Sequence, residues 1–293
     1  MLQFFFVSAH PAGNCQLICG ENSAILLDCS LPFCAPETVE NVKILLKNRP
    51  LSAIILSHSH YDHVAGLPWL RRAFPETPIY AHPYVREVFS KPTALATIHK
   101  MCQNAYELYG AGFTGGHFDD AELQAITPLR DEQAFPFDNG VFRILFTPGH
   151  TKDSLSVDFP NEGTAWLCET LGVLFPDGPV QSCFLSGYQD TLDSINRIAA
   201  LGRRRFILTH NQAPLSIAQS DIFLTESRAV ITQSADLIRR LFDEGRDYAG
   251  IFEGYTAQYW HEFYREIQPF EAFSLNAAAA IKVVLRELCG QLV

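Results

Sequence analysis

Ala53-Ile54-Ile55-Leu56-Ser57-His58-Ser59-His60-Tyr61-Asp62-His63 is the stretch on which the reading of this chain turns. Its first four residues are apolar and two are β-branched, the pattern of a short buried strand. The residues that follow place three histidines and an aspartate within positions 58–63. Imidazole and carboxylate are the donors that zinc and iron accept. Side chains delivered together at a strand end can converge on one point, so the stretch reads as part of a metal site whose other donors lie elsewhere.

Working outward, short β-compatible runs precede it at Phe4 to Ser8, Gln16 to Cys19 and Ala24 to Asp28, with Gly13-Asn14 and Gly20-Glu21-Asn22 as turns. Pro36 to Asn48 carries Val39, Val42, Leu45 and Leu46 at helical spacing. Val64 to Phe74 reads as a helix and Pro78 to Ala81 as a strand. Between Val85 and Leu123 the pattern is helical but broken by Pro92 and by Gly110 through Gly116, as in an insertion over the edge of a site. Strands are expected at Leu123 to Thr127, Val141 to Thr147, Leu155 to Phe159, Thr164 to Leu167 and Arg205 to Thr209, with a helix over Leu192 to Leu201. After Pro214 three helical stretches follow, near 215–244, 248–266 and 270–289, without a convincing strand.

Three of these strand ends carry a further donor. His150 follows Val141 to Thr147 through the tight Pro148-Gly149 turn, Glu169 stands just after Thr164 to Cys168, and His210 comes directly after Arg205 to Thr209. Repeating one placement on four strands argues for a designed site rather than scattered histidines.

At this point the chain resembles the metallo-β-lactamase superfamily. His58-Ser59-His60-Tyr61-Asp62-His63 is similar to its HxHxDH signature, Asp28 to its first motif, and His150 to its third. Glu169 and His210 fall where the fourth and fifth motifs are expected. The resemblance covers about residues 1–212 and implies an α/β fold, the αββα four-layer sandwich with metals at one edge of two sheets. A helical appendage over 213–293 would follow this catalytic domain. It also implies that His58, His60 and His150 bind a first metal, that Asp62, His63 and His210 bind a second, and that Glu169 bridges them. Asp28 would orient a loop or a ligand. Two departures stand out. The bridging residue is usually an aspartate after glycine, whereas here it is a glutamate after Cys168, one methylene longer. His210 lacks the glycines that often flank it.

Composition narrows the field. The net charge of −10 disfavours a grip on nucleic acid, and no apolar run approaches the length of a membrane span. Arg203-Arg204-Arg205 reads as a solvated helix end. The start of the chain shows neither a basic nor a long apolar export segment, so a cytoplasmic location with its eight cysteines reduced is expected. His10, His82, His99, His117 and His261 read as surface or core residues, with His82 the nearest candidate for touching substrate. The aromatics Phe252, Tyr255, Tyr259, Trp260, Phe263 and Tyr264 read as a helix–helix core, or as an apolar overhang of the metal edge.

No nucleophile elbow, phosphate loop or dinucleotide fingerprint competes with the metal site. The resemblance therefore implies a hydrolase holding two divalent ions, zinc first, with iron or manganese as alternatives. A hydroxide shared by the metals would cleave a small ester, thioester or lactone, since metal binding lowers the pKa of water from about 15.7 towards about 7. Asp62 would orient that nucleophile or shuttle its proton. The expected partner is a small substrate with an apolar moiety, with no nucleic acid, no membrane and a homodimer as one use of the helical surface. A helical extension after such a sandwich is similar to the layout of a signal-response thioesterase branch of the superfamily. Two other readings remain open: a mononuclear iron oxygenase of the persulfide-dioxygenase kind, and a metal-retaining regulatory protein acting through its helical surface.

Overall fold

The computed structural model describes residues 2–138, 140–174 and 178–291, with the backbone alone for Glu262 and Phe263. Its first sheet contains β1 (Gln3–Phe6), β2 (Gln16–Cys19), β3 (Ala24–Leu27), β4 (Leu51–Leu56), β5 (Ile79–Ala81) and β6 (Thr127–Pro128), in that spatial order. The first three pair antiparallel and the rest parallel. The connections of the parallel part run through α1 (Ala35–Leu46), α2 (Tyr61–Val64), α3 (Leu67–Ala73), α4 (Pro83–Phe89) and α5 (Pro92–Tyr109). The second sheet is built from β7 (Ala134–Phe137), β8 (Gly140–Phe146), β9 (Leu155–Phe159), β10 (Thr164–Leu167) and β13 (Arg205–Leu208), with β13 parallel to β10. Strands β11 (Val173–Leu174) and β12 (Val180–Gln181) form a separate ribbon. Helix α6 (Tyr188–Ala200) precedes β13, and α7 (Ile217–Asp243), α8 (Tyr248–Tyr259) and α9 (Phe270–Glu287) close the chain.

The layering follows from side-chain alternation. In β3 and β4, Ile25, Leu27, Ala53 and Ile55 point to the second sheet and pack with Phe142, Ile144, Val157, Trp166 and Ile207. Their neighbours Leu26, Ile54 and Leu56 face the other way, onto Val39 and Val42 of α1 and Leu67 and Leu70 of α3. The second sheet repeats the scheme: Ala165, Leu167, Phe206 and Leu208 turn outward onto Ile195 and Ile198 of α6. Both faces of both sheets are thus covered, which gives the αββα sandwich. Slipping β4 by one residue would exchange its two faces, and each buried leucine or isoleucine is worth roughly 1.5–3 kcal/mol, so register is strongly held.

The C-terminal helices belong to the outer layer of the second sheet. Phe223 and Ile231 of α7 and Ala277, Ile281 and Val284 of α9 join one continuous cluster with Leu145, Leu167 and Leu208. Helix α7 starts on a capping box in which Ser216 and Gln219 satisfy each other's backbone N–H. Among the described residues no helix is long and apolar enough to cross a membrane.

Three local expectations are corrected. The strand expected at Leu123 to Thr127 gives way to a 3-10 turn over Asp120–Leu123, because Asp119 and Glu122 form a capping box and Ala125 takes φ 59°. Only Thr127–Pro128 pairs as a strand. The helix expected over Val64 to Phe74 is split between α2 and α3. At the break Gly66 donates to the Ser30 carbonyl (3.0 Å), and a Cβ there would lie 2.0 Å from the Cys29 oxygen. Arg203 is not a solvated helix end. It forms a two-pronged ion pair with the fully buried Asp158 of β9 (2.6 and 3.0 Å).

Candidate metal centre and its cavity

The strand ends of the two sheets meet at one edge. The Leu155 N–H of β9 donates to the Ser57 carbonyl (2.9 Å), joining the end of β4 to the second sheet. Around this junction His58, His60, His150 and Glu169 bring donor atoms within 4.8 Å of one another, and so do Asp62, His63, Glu169 and His210. All seven residues singled out in the sequence are therefore brought together, in two groups of four that share Glu169.

The Glu169 carboxylate lies between the groups. Its Oε1 is 2.9 Å from His63 Nε2 and 2.6 Å from His210 Nε2, and its Oε2 is 2.8 Å from His150 Nε2. Glu169 opens a 3-10 turn over Glu169–Leu171. Thr170 staples that turn in place: its hydroxyl donates to the Thr147 carbonyl (2.7 Å) and accepts from the His150 N–H (3.1 Å). Gly149, at φ 137°, lets the His150 loop pass α6, since a Cβ there would be 2.1 Å from Thr191 Oγ1.

The histidine tautomers follow from their outward partners. His63 Nδ1 donates to Asp28 Oδ2 (2.7 Å) and His150 Nδ1 to the Cys183 carbonyl (2.8 Å). Ser57 Oγ spends its one proton on Asp28 Oδ2 (2.9 Å), so it accepts from His58 Nδ1 (2.9 Å). Each of these three rings then turns its Nε2 to the cluster. His58 Nε2 is buried and has no hydrogen-bond partner. A buried imidazole lone pair left without a donor, beside nitrogen and carboxylate donors and no thiolate, fits a divalent cation of the zinc, iron or manganese kind. Asp28 thus orients His63 and the Ser57 loop, the kind of role the resemblance implied for it.

Electrostatics agree with a cation-binding pocket. Burial, with neighbouring imidazoles adding to it, drives His58 and His60 to their neutral forms, His60 down to about 3. Burial also raises the Asp62 carboxyl. It pushes Glu169 the same way, but the surrounding histidines outweigh it and hold Glu169 well below the usual carboxylate range. For His63 burial is outweighed by Asp28, Asp62 and Glu169, and for His150 by Cys183 and Glu169, so both rings retain a proton more strongly than a free imidazole.

Sequence reasoning missed Asn14. It is fully buried; its Nδ2 donates to Asp28 Oδ2 (2.7 Å), its Oδ1 accepts from the His210 N–H (3.0 Å) and its own N–H donates to the Asp62 carbonyl (2.9 Å). Its side chain and its backbone N–H together hold the loops of three site residues, including His210 at φ 62°. In sequence the Gly13-Asn14 pair signals only a turn, so nothing local marks this role. Gln16 plays a similar part, donating to the Leu208 and Asn211 carbonyls (2.9 and 3.0 Å) on either side of His210.

His60, Asp62, Glu169 and His210 form the floor of a cavity of about 450 Å³, with His58, His63 and His150 fully buried behind them. Ile98 and Met101 of α5 and Ala272, Leu275 and Ala279 of α9 supply aliphatic wall, so the broken helical segment and the C-terminal helices both overhang the metal edge. The aromatic group of the helical region does not. Tyr255 and Trp260 pack on Phe273 with ring centroids 6.5 and 5.1 Å apart, making a helix–helix core. The side chain of Phe263 lies outside the described residues. None of His10, His82, His99, His117 and His261 lines the cavity. His82 instead caps α4, its Nδ1 accepting from the Tyr84 N–H (3.0 Å).

A sandwich with ligand-type residues at one edge of its sheets defines the class, and the sequence agrees with it. The chain belongs to the metallo-beta-lactamase superfamily, whose family model matches residues 11–210. A probable metallo-hydrolase of Streptococcus pyogenes is 26% identical over 178 residues, 59% of this chain and 70% of that protein. An atrochrysone carboxyl ACP thioesterase of Aspergillus fumigatus is 26% identical over 157 residues, 53% of this chain but only 36% of the enzyme. In fold, the chain is similar to a metallo-beta-lactamase family protein of Thermus thermophilus (TM-score 0.65, 18% identity), which covers 98% of this chain and is itself covered to 93%.

Proposed function

We propose that the protein is a metal-dependent hydrolase that cleaves a small ester, thioester or lactone and seats an apolar part of it beneath α5 and α9. One observation carries the reading: two four-donor groups sharing Glu169 present His60, Asp62, Glu169 and His210 to a mainly aliphatic cavity. His58, His60, His150 and Glu169 would hold one divalent ion, and Asp62, His63, Glu169 and His210 a second. Bound there, the ions supply a water acidic enough to attack at neutral pH and a Lewis acid for the carbonyl oxygen. Asp62 is partly open to the cavity, with Oδ2 3.6 Å from His63 Nε2 and 3.5 Å from His210 Nε2. It is the group to take the proton of the attacking water and return it to the leaving alcohol or thiol. Asp28, Ser57 and the Cys183 carbonyl hold the imidazoles in the tautomers the site needs.

The resemblance to a metallo-hydrolase and to a thioesterase supports this reaction type. An oxygenase working at one iron would leave Asp62, His63 and His210 without a task, although they share Glu169 as closely as the other group does. Metal analysis of the purified protein should give about two divalent ions per chain. Generic ester, thioester and lactone probes should then be hydrolysed by the loaded protein and not by a His60→Ala variant. One iron per chain with oxygen consumption would replace this reading by the oxygenase, and no metal after growth with zinc, iron or manganese would end both.

A further inference from the structure

Helix α5 borders a second cavity with another of its faces. Ala94, Thr97, Ile98 and Met101 line the metal cavity, whereas His99, Cys102, Gln103 and Tyr106 line a larger one of about 700 Å³. Each set is spaced three and four residues apart, so each marks one stripe of the helix. The far wall of the second cavity is the loop 115–118 with the Pro32-Phe33 turn. That loop is tied in place by the Gly115 N–H, which donates to the Phe33 carbonyl (2.9 Å). The two cavities share no lining residue. Between them stand α5 and a small cluster in which Phe33, from the second cavity, and Tyr61, from the first, both pack. The base of the second cavity is apolar, with Phe33, Cys102 and Phe118 buried, and its rim is open, with Lys100, Gln103, Tyr106 and His117 exposed. The chain carries a net charge of −10, yet no carboxylate lines this cavity among the described residues. His99 stacks on Phe118 (centroids 4.6 Å apart) with its Nε2 held by Asp120 (2.6 Å), whereas Lys100 pairs with no carboxylate among the described residues.

From these observations we propose that the second cavity is a ligand site for a planar aromatic carboxylate, separate from the metal centre and independent of the hydrolase reading. Its volume falls within the range of small-molecule sites. Aromatic rings bind one another offset-stacked or edge to face, and Phe33, Phe118 and the 46%-exposed Tyr106 offer such surfaces to a flat ring system. The Lys100 ammonium at the rim supplies a charge-assisted hydrogen bond to a carboxylate. Gln103 Nε2 donates to Glu107 (2.9 Å) and keeps a second N–H for the same ligand. A carboxylate held at the rim retains part of its hydration, so the ring alone is taken out of water. A polyanion would find one unpaired lysine, with Asp119 and Asp120 close by in the chain. A ligand seated here is walled off from the metal donors by α5 and the Phe33–Tyr61 cluster, and so it is not a substrate of that centre.

Three probes test the site by calorimetric titration of the metal-loaded protein: naphthoate, its neutral counterpart naphthamide, and the saturated decahydronaphthoate. Naphthoate should bind one per chain, roughly tenfold or more tighter than the amide, as a charge-assisted hydrogen bond implies. It should also bind about three- to tenfold tighter than the saturated acid, which cannot stack. Lys100→Gln should remove the preference over the amide, and Tyr106→Ala the preference over the saturated acid. Both side chains are exposed and neither belongs to the donor groups, so fold and metal content should be those of the parent. A carboxylate that binds the metals instead would be indifferent to both substitutions. Either preference surviving its substitution, or no binding of naphthoate at millimolar concentration, overturns the inference. Because the readout is binding, loss of hydrolysis or its absence bears only on the reading of the metal centre.

Discussion

The floor of the cavity and its overhanging walls are built in opposite ways. Just beneath the floor, the fully buried His58, His63 and His150 each have the outward nitrogen engaged, by Ser57, Asp28 and the Cys183 carbonyl. Along the walls, Ile98, Met101, Leu275 and Ala279 are held by packing alone, and Gln268 keeps an unpartnered oxygen. A hydrogen-bonded floor is committed to one geometry before any ligand arrives, which is what a metal centre requires. A wall held by aliphatic packing commits only when a substrate fills it. Chemistry and specificity are thus assigned to different parts of the chain, and substitutions should affect them separately.

The largest effect should come from the residue both donor groups share. Glu169→Gln keeps the shape of the side chain and removes its charge, so kcat should fall about a thousandfold or more, since a metal centre contributes several kcal/mol to the transition state. Metal analysis should show loss of at least one ion, with the far-ultraviolet circular dichroism unchanged. Full metal content with kcat within about tenfold of the parent would mean that Glu169 is not the hinge of the floor.

A step further out, Asp28→Asn should weaken metal affinity by about 10–100-fold, the usual cost of losing a partner that orients a ligating histidine. Asp28 touches His63 but no member of the cavity wall, so chelator competition should register the change while the ranking of substrates by chain length stays as it is. A changed ranking would break the separation between floor and walls.

These two regions were unequally legible in sequence. The floor could be read because strand ends and ligand chemistry leave a local mark: His58 to His63, His150, Glu169 and His210 each follow a recognisable strand. Asn14 could not, because its partners lie 14, 48 and 196 positions away and only the fold makes them neighbours. The walls were less legible still. The aromatic cluster drew attention as the overhang, yet large rings gain most by packing on each other and on Phe273, and the cavity was left to the smaller residues of α9. The strand expected at Leu123 to Thr127 failed for a related reason, since a capping box there outweighs β-compatible residues.

Asn14→Ala tests whether the floor is held as a unit. Removing the amide leaves the His210 N–H without its acceptor and deprives Asp28 of one donor. Leaving buried polar groups unpaired costs about 1–3 kcal/mol, so the unfolding free energy from urea titration should fall by that amount and the midpoint should move lower. Metal loading should recover part of the loss, because ions bound only by the folded state stabilise it by mass action. A midpoint unchanged in both forms would show that the loops of Asp28 and His210 are set independently of this amide.

The smallest and most selective change belongs to the wall. Ala279 faces the cavity from α9, one helical turn beyond Leu275, so Ala279→Phe would project a ring into the space assigned to the apolar part of the substrate. A long-chain ester or thioester should lose roughly tenfold in kcat/KM, within the range that apolar pockets discriminate by size, while an acetyl ester should be nearly unaffected. Because Ala279 takes no part in the donor groups, metal content should equal that of the parent. Equal losses on long and short substrates would point to a disturbed floor, and no loss on either would move the apolar subsite away from α9.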